Sequence, residues 1–287
     1  MVRAGALTTV QDSGRRGFAH LGVPASGALD PLAHARANRL VGNEERAPAL
    51  ETTVDGVGLR FGHPAVIAVT GAYAAVRVDG RLVAWSMPVN VRGGAVVDVG
   101  PARAGVRCYV AVAGGFEVPA TLGSCSTDLL SGLGPPPLVS GQRLAVGAAQ
   151  GSVPAVDLAP YRLPKSEVAL PLHPGPRRQR LTEKGESDLF GRGFRVSPQS
   201  NRIALRLSGE PLDRHLGPEL PSEGILWGSV QLLHSGEVVL FLADHPTTGG
   251  YPVVAVADRS AASDCAQARP GDVVTFRRAR AGAFGGW

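Results

Sequence analysis

Short apolar runs rich in β-branched residues, most of them followed within three residues by Gly or Pro, recur along almost the whole chain. In the first half they are Val66–Thr70, Ala75–Val78, Arg81–Trp85, Val96–Val99 and Val106–Val112. In the second half they are Ile203–Leu207, Ser229–Leu233, Val238–Leu242, Val253–Val256 and Val273–Phe276. Runs this short, separated by turn residues, read as strands of a turn-dense β fold. The 38 Gly and 23 Pro agree with that reading, and Asp79-Gly80 is the dipeptide of a tight hairpin. One helix stands out. Asp30 is an N-cap, Pro31 suits the first helical position and Gly42 stops the helix after Leu40-Val41. Its expected apolar face is Leu32, Ala35, Ala37, Leu40 and Val41, with Asn38 near the edge. The first twenty-nine residues read as loop.

At 287 residues the chain exceeds the usual size of one domain, so two are expected. A Pro- and Ala-rich stretch with Pro154, Pro160, Pro164, Pro171 and Pro174 reads as the crossing between them. The first domain is placed at 1–155, with an N-terminal loop and helix, and the second at 156–287. The fold expected is mainly β: two tandem antiparallel β-barrels with few short helices.

Several function classes fall away. The net charge of +5 is carried almost wholly by arginine, since Lys165 and Lys184 are the only lysines. A Schiff-base lysine is therefore disfavoured, and anion recognition passes to Arg. Basic residues are scattered apart from Arg177–Arg180 and aromatics are 5%, which argues against nucleic acid as a partner. Cys108, Cys125 and Cys265 lie far apart without C-x-x-C or Cys/His spacing, so neither a disulfide framework nor a metal site is expected. No signal-peptide core and no membrane-length apolar run is present, and a cytoplasmic location is expected. The phosphate-loop, dinucleotide-binding and H-E-x-x-H patterns are all missing.

Two segments of similar chemistry draw attention. Thr247-Thr248-Gly249-Gly250-Tyr251-Pro252 follows an apolar strand ending in Asp244-His245, so it sits where a buried strand leaves the core. Such a loop offers hydroxyls and backbone N–H groups to a small anionic or amide-bearing ligand; it also reads as a plain Gly-Gly turn. Near the other end, Thr8-Thr9-Val10-Gln11-Asp12-Ser13-Gly14-Arg15 again combines paired threonines, glycine and a carboxylate. Gln11 suits an amide or urea-like group, Asp12 suits a base or its orienter, and Arg15 suits a carboxylate or phosphoryl oxygen. The competing reading is a capped turn in which Asp12 accepts from backbone N–H groups. Ser26 lies in a turn before the helix but not in a nucleophile elbow. Gly123–Thr127 is a further hydroxyl-rich loop, with Cys125 either a reactive thiol or a small buried residue. Glu223 and Gln231 would share a pocket with Asp244 if the strand carrying Gln231 pairs with the strand ending at Asp244, which the intervening Leu232–Glu237 turn favours.

The chain resembles the biotin-dependent carboxyltransferase-type family that includes the C subunit of bacterial 5-oxoprolinase. Members also go by allophanate hydrolase subunit 2 and antagonist of the Kip sporulation-kinase inhibitor. The resemblance rests on Thr8–Arg15, Gly22–Asp30, Ala37–Asn43, Leu50-Glu51, Thr70–Ala72, Ser222–Gly224, Thr247–Pro252 and Arg269–Asp272, in the family's order. It implies tandem cyclophilin-like barrels. It also implies a complex with the B subunit of 5-oxoprolinase, which is Kip inhibitor-like (allophanate hydrolase subunit 1), and with a third 5-oxoprolinase subunit. The activity implied is ATP-dependent opening of the 5-oxo-L-proline lactam to glutamate, with ATP a cosubstrate of the complex and no metal or covalent cofactor on this chain. On the family motifs, Gln11, Asp12, Arg15, Asp244, Thr247, Thr248 and Tyr251 would surround the pocket. With Ser26, Glu223, Gln231, Gly249 and Gly250 added from the residues themselves, Asp12 and Asp244 are the expected catalytic carboxylates and the others the expected substrate contacts. The chain departs from the family at Cys125, at Gly134–Leu138 and at His245-Pro246, where arginine, a Gly-rich segment and glutamine are usual. Two further readings stand beside the amidohydrolase: a carboxyltransferase component of a urea- or allophanate-type system, and a non-catalytic regulator that binds the B subunit.

Overall fold

The computed structural model describes residues 1–149, 151–154 and 163–280. The chain divides into two compact units, neither continuous in sequence. One comprises Met1–Arg15, Ser26–Asp128 and Gly132–Pro164; the other comprises Arg16–Ala25, Leu129–Ser131 and Lys165–Trp287. The cut expected between 155 and 156 lies outside the described residues, and the short segments 16–25 and 129–131 group with the second unit. As expected, the chain is mainly β with few helices.

The first unit is built on a seven-stranded sheet of β1 (Leu7–Gln11), β2 (Ala49–Thr53), β3 (Val57–Arg60), β4 (Ala65–Val78), β5 (Arg81–Val83), β6 (Val89–Val91) and β7 (Val96–Val112). Its order is β1-β2-β7-β4-β5, with β3 added on β7 and β6 on β4. A two-stranded ribbon of β8 (Phe116–Glu117) and β9 (Ala145–Val146) completes it. Two sequence expectations change here. The first twenty-nine residues are not all loop, because Leu7–Gln11 pairs antiparallel with β2, with Thr9 opposite Glu51. Four of the five runs expected as separate strands between residues 66 and 112 form two long ones, and the fifth is β5. β4 and β7 pair along their length and pass through register shifts between Gly71 and Val76, so bulges bend the pair without ending it. Asp79 (φ 49°) and Gly80 (φ 80°) make the tight turn into β5, both central residues in the left-handed region that a two-residue hairpin needs.

Period-two alternation gives this sheet two packed faces. Ile67, Val69, Val110 and Val112 enter one core with Val10, Leu50 and Val97, while Ala68, Tyr109 and Ala111 face the other, where the helix packs. That helix, α1 (Pro31–Leu40), starts as expected: Asp30 accepts from the Ala33 N–H at 2.9 Å and Pro31 occupies the first turn. Its buried face differs from expectation. Ala33, His34, Ala37, Asn38 and Leu40 face inward, whereas Leu32 is 73% exposed. The small Ala33/Ala37 stripe lets the helix approach the sheet, and His34 and Asn38 can follow it inward because backbone carbonyls receive them.

The second unit closes into a seven-stranded barrel. Its strands are β10 (Glu167–Pro174), β11 (Gly193–Val196), β12 (Ala204–Ser208), β14 (Ser229–Leu232), β15 (Val238–Phe241), β17 (Val253–Ala257) and β18 (Val273–Arg278), in the order β10-β17-β14-β15-β12-β11-β18. Every pairing is antiparallel except β10 with β18, which is parallel and closes the ring. A separate ribbon pairs β13 (Glu223–Gly224) with β16 (Thr248–Gly249). Leu170, Leu205, Val230, Leu240 and Val274 are almost fully buried, and Phe194 packs on Phe276 at 5.5 Å. The unit also carries α2 (Glu183–Gly191), capped by the Thr182 hydroxyl on the Gly185 N–H at 3.0 Å, and α3 (Arg259–Asp264). No helix among the described residues is long and apolar enough to cross a membrane.

Candidate functional site

In the first unit, four of the expected site residues converge on one loop, residues 121–127. Asp12 sits just beyond β1 and is 7% exposed. Its Oδ1 accepts from Gly14 N (2.8 Å), Ser124 Oγ (2.7 Å) and Ser126 Oγ (2.5 Å), and its Oδ2 accepts from Cys125 N (2.6 Å). Arg15 grips the same loop from another side, donating through Nη2 to the Ser126 carbonyl and through Nε to that of Thr121. Gln11 Nε2 and Ser26 Oγ each donate to the Thr127 carbonyl at 3.0 Å. Ser26 holds a φ of 52°, which places its hydroxyl on that carbonyl rather than on a base.

Three polar atoms in this cluster are buried without a hydrogen-bond partner among the described residues: Gln11 Oε1, Arg15 Nη1 and Thr127 Oγ1. Native structures leave few such groups unsatisfied, and they mark functional strain or a missing partner. Chemically they are one acceptor, one cationic donor and one hydroxyl. All three are closed off from solvent.

Behind the cluster runs a buried polar network that the sequence reading did not assemble. Glu51 Oε2 accepts from Leu29 N (3.0 Å) and from Tyr109 Oη (2.7 Å), and its Oε1 lies 3.5 Å from Arg107 Nε. Tyr109 Oη also receives the Asp30 N–H at 2.8 Å. His34 Nε2 meets the Gln11 carbonyl at 3.0 Å, with Asn38 Nδ2 at 3.4 Å. Burial holds the His34 pKa below its ordinary value, against the opposing pull of the Gln11 carbonyl and Asp12. Burial, reinforced by Glu51, pushes the Tyr109 hydroxyl well up. The clue to His34 is its place four residues before Asn38 on a face otherwise made of Ala33, Ala37 and Leu40.

In the second unit the anticipated hairpin forms. β14 pairs with β15, setting Gln231 opposite Val239. The neighbouring β13–β16 ribbon brings Glu223 opposite Gly249 and Gly224 opposite Thr248, and Ile225 N donates to the Thr247 carbonyl at 2.9 Å. Gln231 Nε2 donates to the Tyr251 carbonyl at 2.9 Å, and the Tyr251 ring stands edge-on to His234 at 5.1 Å. Glu223, Gln231, Thr247, Thr248, Gly249 and Tyr251 are thus neighbours, with Thr248, Gly250 and Tyr251 exposed. Arg177, which the sequence reading left out, holds the Glu223 carboxylate through Nε and Nη2. That contact keeps the Glu223 pKa below, and the Arg177 pKa above, their ordinary values.

Asp244 takes a different place. It is fully buried and forms a fork-to-fork pair with Arg202, itself 1% exposed: Nε to Oδ2 and Nη2 to Oδ1, both 2.9 Å. Oδ2 also receives the Leu129 N–H at 3.3 Å, which ties segment 129–131 to this unit. Like Asp12, Asp244 therefore has its lone pairs engaged by fixed donors. Arg202 lies 42 residues before Asp244, a separation at which sequence patterning gives no pairing signal.

Residues 21–278 match the family model for the carboxyltransferase domain, subdomain A and B. The chain belongs to this family. The span takes in Ser26, Glu223, Gln231, Asp244 and the Thr247–Tyr251 loop, and begins after Gln11, Asp12 and Arg15. Among similar carboxyltransferase-domain proteins, the 5-oxoprolinase C subunit of Escherichia coli is 39% identical over 262 residues, covering 89% of this chain and 83% of that protein. The urea amidolyase of Saccharomyces cerevisiae is 30% identical over 95% of this chain, which spans 16% of that much longer protein. The crystal structure of the K. lactis urea amidolyase superposes with a TM-score of 0.89 at 28% identity, over 97% of this chain and 18% of that one.

Proposed function

We propose that this chain is a subunit of an ATP-dependent 5-oxoprolinase, a complex that opens the 5-oxo-L-proline lactam to glutamate. The observation that carries the reading is the near full-length match to the C subunit of E. coli 5-oxoprolinase, which leaves little of either chain unmatched. ATP enters as a substrate of the complex. The chain carries no phosphate-loop motif, so nucleotide binding is assigned to the partner subunits. The B subunit and a third subunit are the expected partners.

In this reading Gln11, Arg15 and Thr127 contact the substrate once the 121–127 loop moves, through the three polar atoms that lack internal partners. A lactam N–H matches the Gln11 carbonyl, and the substrate carboxylate matches Arg15. The exposed hydroxyls and N–H groups of Thr247–Tyr251 offer further donors. Asp12 and Asp244 are assigned as positioning residues, because accepting a proton from water would require either one to shed fixed donors first.

The test is a coupled ATP-hydrolysis assay with 5-oxo-L-proline, using the B subunit and the third subunit with and without this chain. Turnover that depends on this chain is expected. A stable complex without lactam-dependent turnover would refute the amidohydrolase reading. It would favour carboxyl transfer from a biotinylated carrier, a second reading motivated by the match to urea amidolyase across 95% of this chain.

A further inference from the structure

The second unit contains a cavity that none of the expected site residues enters. It has a volume of about 150 Å³ and lies between β10, α2, β17 and the end of β18. Its body is apolar, with Leu172, Leu181, Leu189, Phe190, Val254 and Ala255 among the lining side chains. A void of this volume lined by aliphatic and aromatic groups has room for a single six-membered ring. Its mouth is charged.

Arg178 and Arg278 share one carboxylate there, that of Glu186. Arg178 donates through Nε (3.0 and 3.1 Å) and Nη2 (2.9 Å), and Arg278 donates through Nη1 (2.6 Å). Two guanidinium groups against one carboxylate leave a net positive charge at the rim. Arg278 Nε and Nη2 and Arg178 Nη1 have no acceptor among the described residues, and both arginine side chains are at least half exposed. Arg278 is also fixed in place, its guanidinium carbon 4.5 Å from the centre of the Phe190 ring that lines the cavity. The only other titratable side chain on the lining, His173, faces Asp258 at 3.3 Å. A concave apolar body with a few convergent polar groups at one end is the general form of a small-molecule site.

We propose that this cavity binds a compact monocarboxylate with an apolar ring, the ring filling the cavity and the carboxylate joining Glu186 on the Arg178–Arg278 pair. The site is separate from the 5-oxoprolinase reading and stands or falls without it. Glu186 is both the internal competitor and the test of the idea, because it occupies the donors that a ligand carboxylate would use.

The experiment is a nuclear magnetic resonance titration of the full chain with sodium benzoate, at ionic strength held constant with chloride. Saturable shifts at the amides of Leu172, Leu189 and Val254 are expected, with neutral benzyl alcohol binding roughly tenfold more weakly. Arg278→Gln should weaken benzoate binding about tenfold, whereas Glu186→Gln should tighten it several-fold by freeing both arginines. Both substitutions are at the rim, so neither depends on the core tolerating a change. Non-saturating shifts, equal affinity for benzyl alcohol, or insensitivity to both substitutions would each overturn the proposal.

Discussion

Asp12→Asn separates two roles that look alike in sequence. If Asp12 holds the 121–127 loop, the amide must set an NH₂ group against a backbone N–H. In one orientation that N–H belongs to Cys125, now 2.6 Å from Oδ2; in the flipped orientation it belongs to Gly14, now 2.8 Å from Oδ1. The Ser124 and Ser126 hydroxyls can turn to accept instead of donate, but a backbone N–H cannot. One buried unsatisfied donor costs about 1–3 kcal/mol, and hydrogen bonds to a neutral acceptor are about half as strong as those to a carboxylate. Together these come to about 3 kcal/mol of local stability, or roughly a hundredfold in the loop's opening equilibrium. Hydrogen exchange on the full chain reads this directly. Whichever of the Cys125 and Gly14 amides faces the NH₂ group should exchange about a hundredfold faster in the variant, with the Val110 amide in β7 unchanged as an internal reference. Ser126→Ala should reproduce part of the effect. Protection of both the Cys125 and Gly14 amides within about threefold of the parent, alongside lost turnover in the assembled complex, would show that Asp12 acts on substrate and would refute the loop-holding argument.

Four further outcomes follow from particular contacts. His34 is held below its ordinary value of 6.5 by burial, so the unfolded chain binds the extra proton first on acidification; the stability involved is present above about pH 6.5 and is lost as pH falls toward the folded value, at up to about 1.4 kcal/mol per pH unit. Urea midpoints measured from pH 7 downward should therefore fall less steeply in His34→Gln, and parallel slopes would refute this. Arg202→Met should destabilise by about 3–5 kcal/mol because it strands a buried Asp244 carboxylate, while the double variant Arg202→Met/Asp244→Leu should recover most of the loss; additive losses in a thermal-unfolding cycle would contradict the pairing. A Cβ on Gly249 would lie 2.6 Å from Ile225 Cδ1, whereas on Gly250 the nearest atom is 3.6 Å away; Gly249→Ala should cost about 1–3 kcal/mol and Gly250→Ala close to nothing, and equal melting temperatures would count against the ribbon geometry. Thr127→Val should raise the stability of the first unit, because Oγ1 is buried with no partner and a methyl group of the same shape carries no such cost; a lower melting temperature would mean that the hydroxyl has an acceptor.

The sequence was most legible where local chemistry decides the outcome. Asp30, Pro31 and Gly42 bounded α1, Asp79-Gly80 set a hairpin, and the Leu232–Glu237 turn implied the pairing that seats Gln231. It misled where tertiary contacts override a local rule. Thr8–Gln11 looked like loop because it is polar, yet all four residues are buried in a strand whose neighbours supply partners. The β10 strand was hidden by Pro171 and Pro174, and it closes a ring through a parallel pairing that no hairpin signal announces. Leu32 was assigned to the buried face of α1 on hydrophobicity alone; the sheet instead accepts the face with alanines and two satisfied polar residues. The site follows the same division: Gln11, Asp12, Arg15 and Ser26 were all picked out, but their common object, the 121–127 loop, lies more than a hundred residues away.

That distance bears on how the first unit's cluster works. The Asp12 carboxylate fastens the loop with three hydrogen bonds, from Ser124 Oγ, Ser126 Oγ and Cys125 N, while Gln11 Oε1, Arg15 Nη1 and the loop's own Thr127 Oγ1 are buried with no partner among the described residues. Each orphaned group penalises the closed arrangement by about 1–3 kcal/mol, which offsets much of what the Asp12 contacts contribute. The loop is therefore held by strong bonds against a standing penalty, so its opening free energy is a small difference between large terms. Removing the Asp12 carboxylate shifts that small difference directly toward the open loop, because its contacts to the loop are lost while the unsatisfied groups are unchanged.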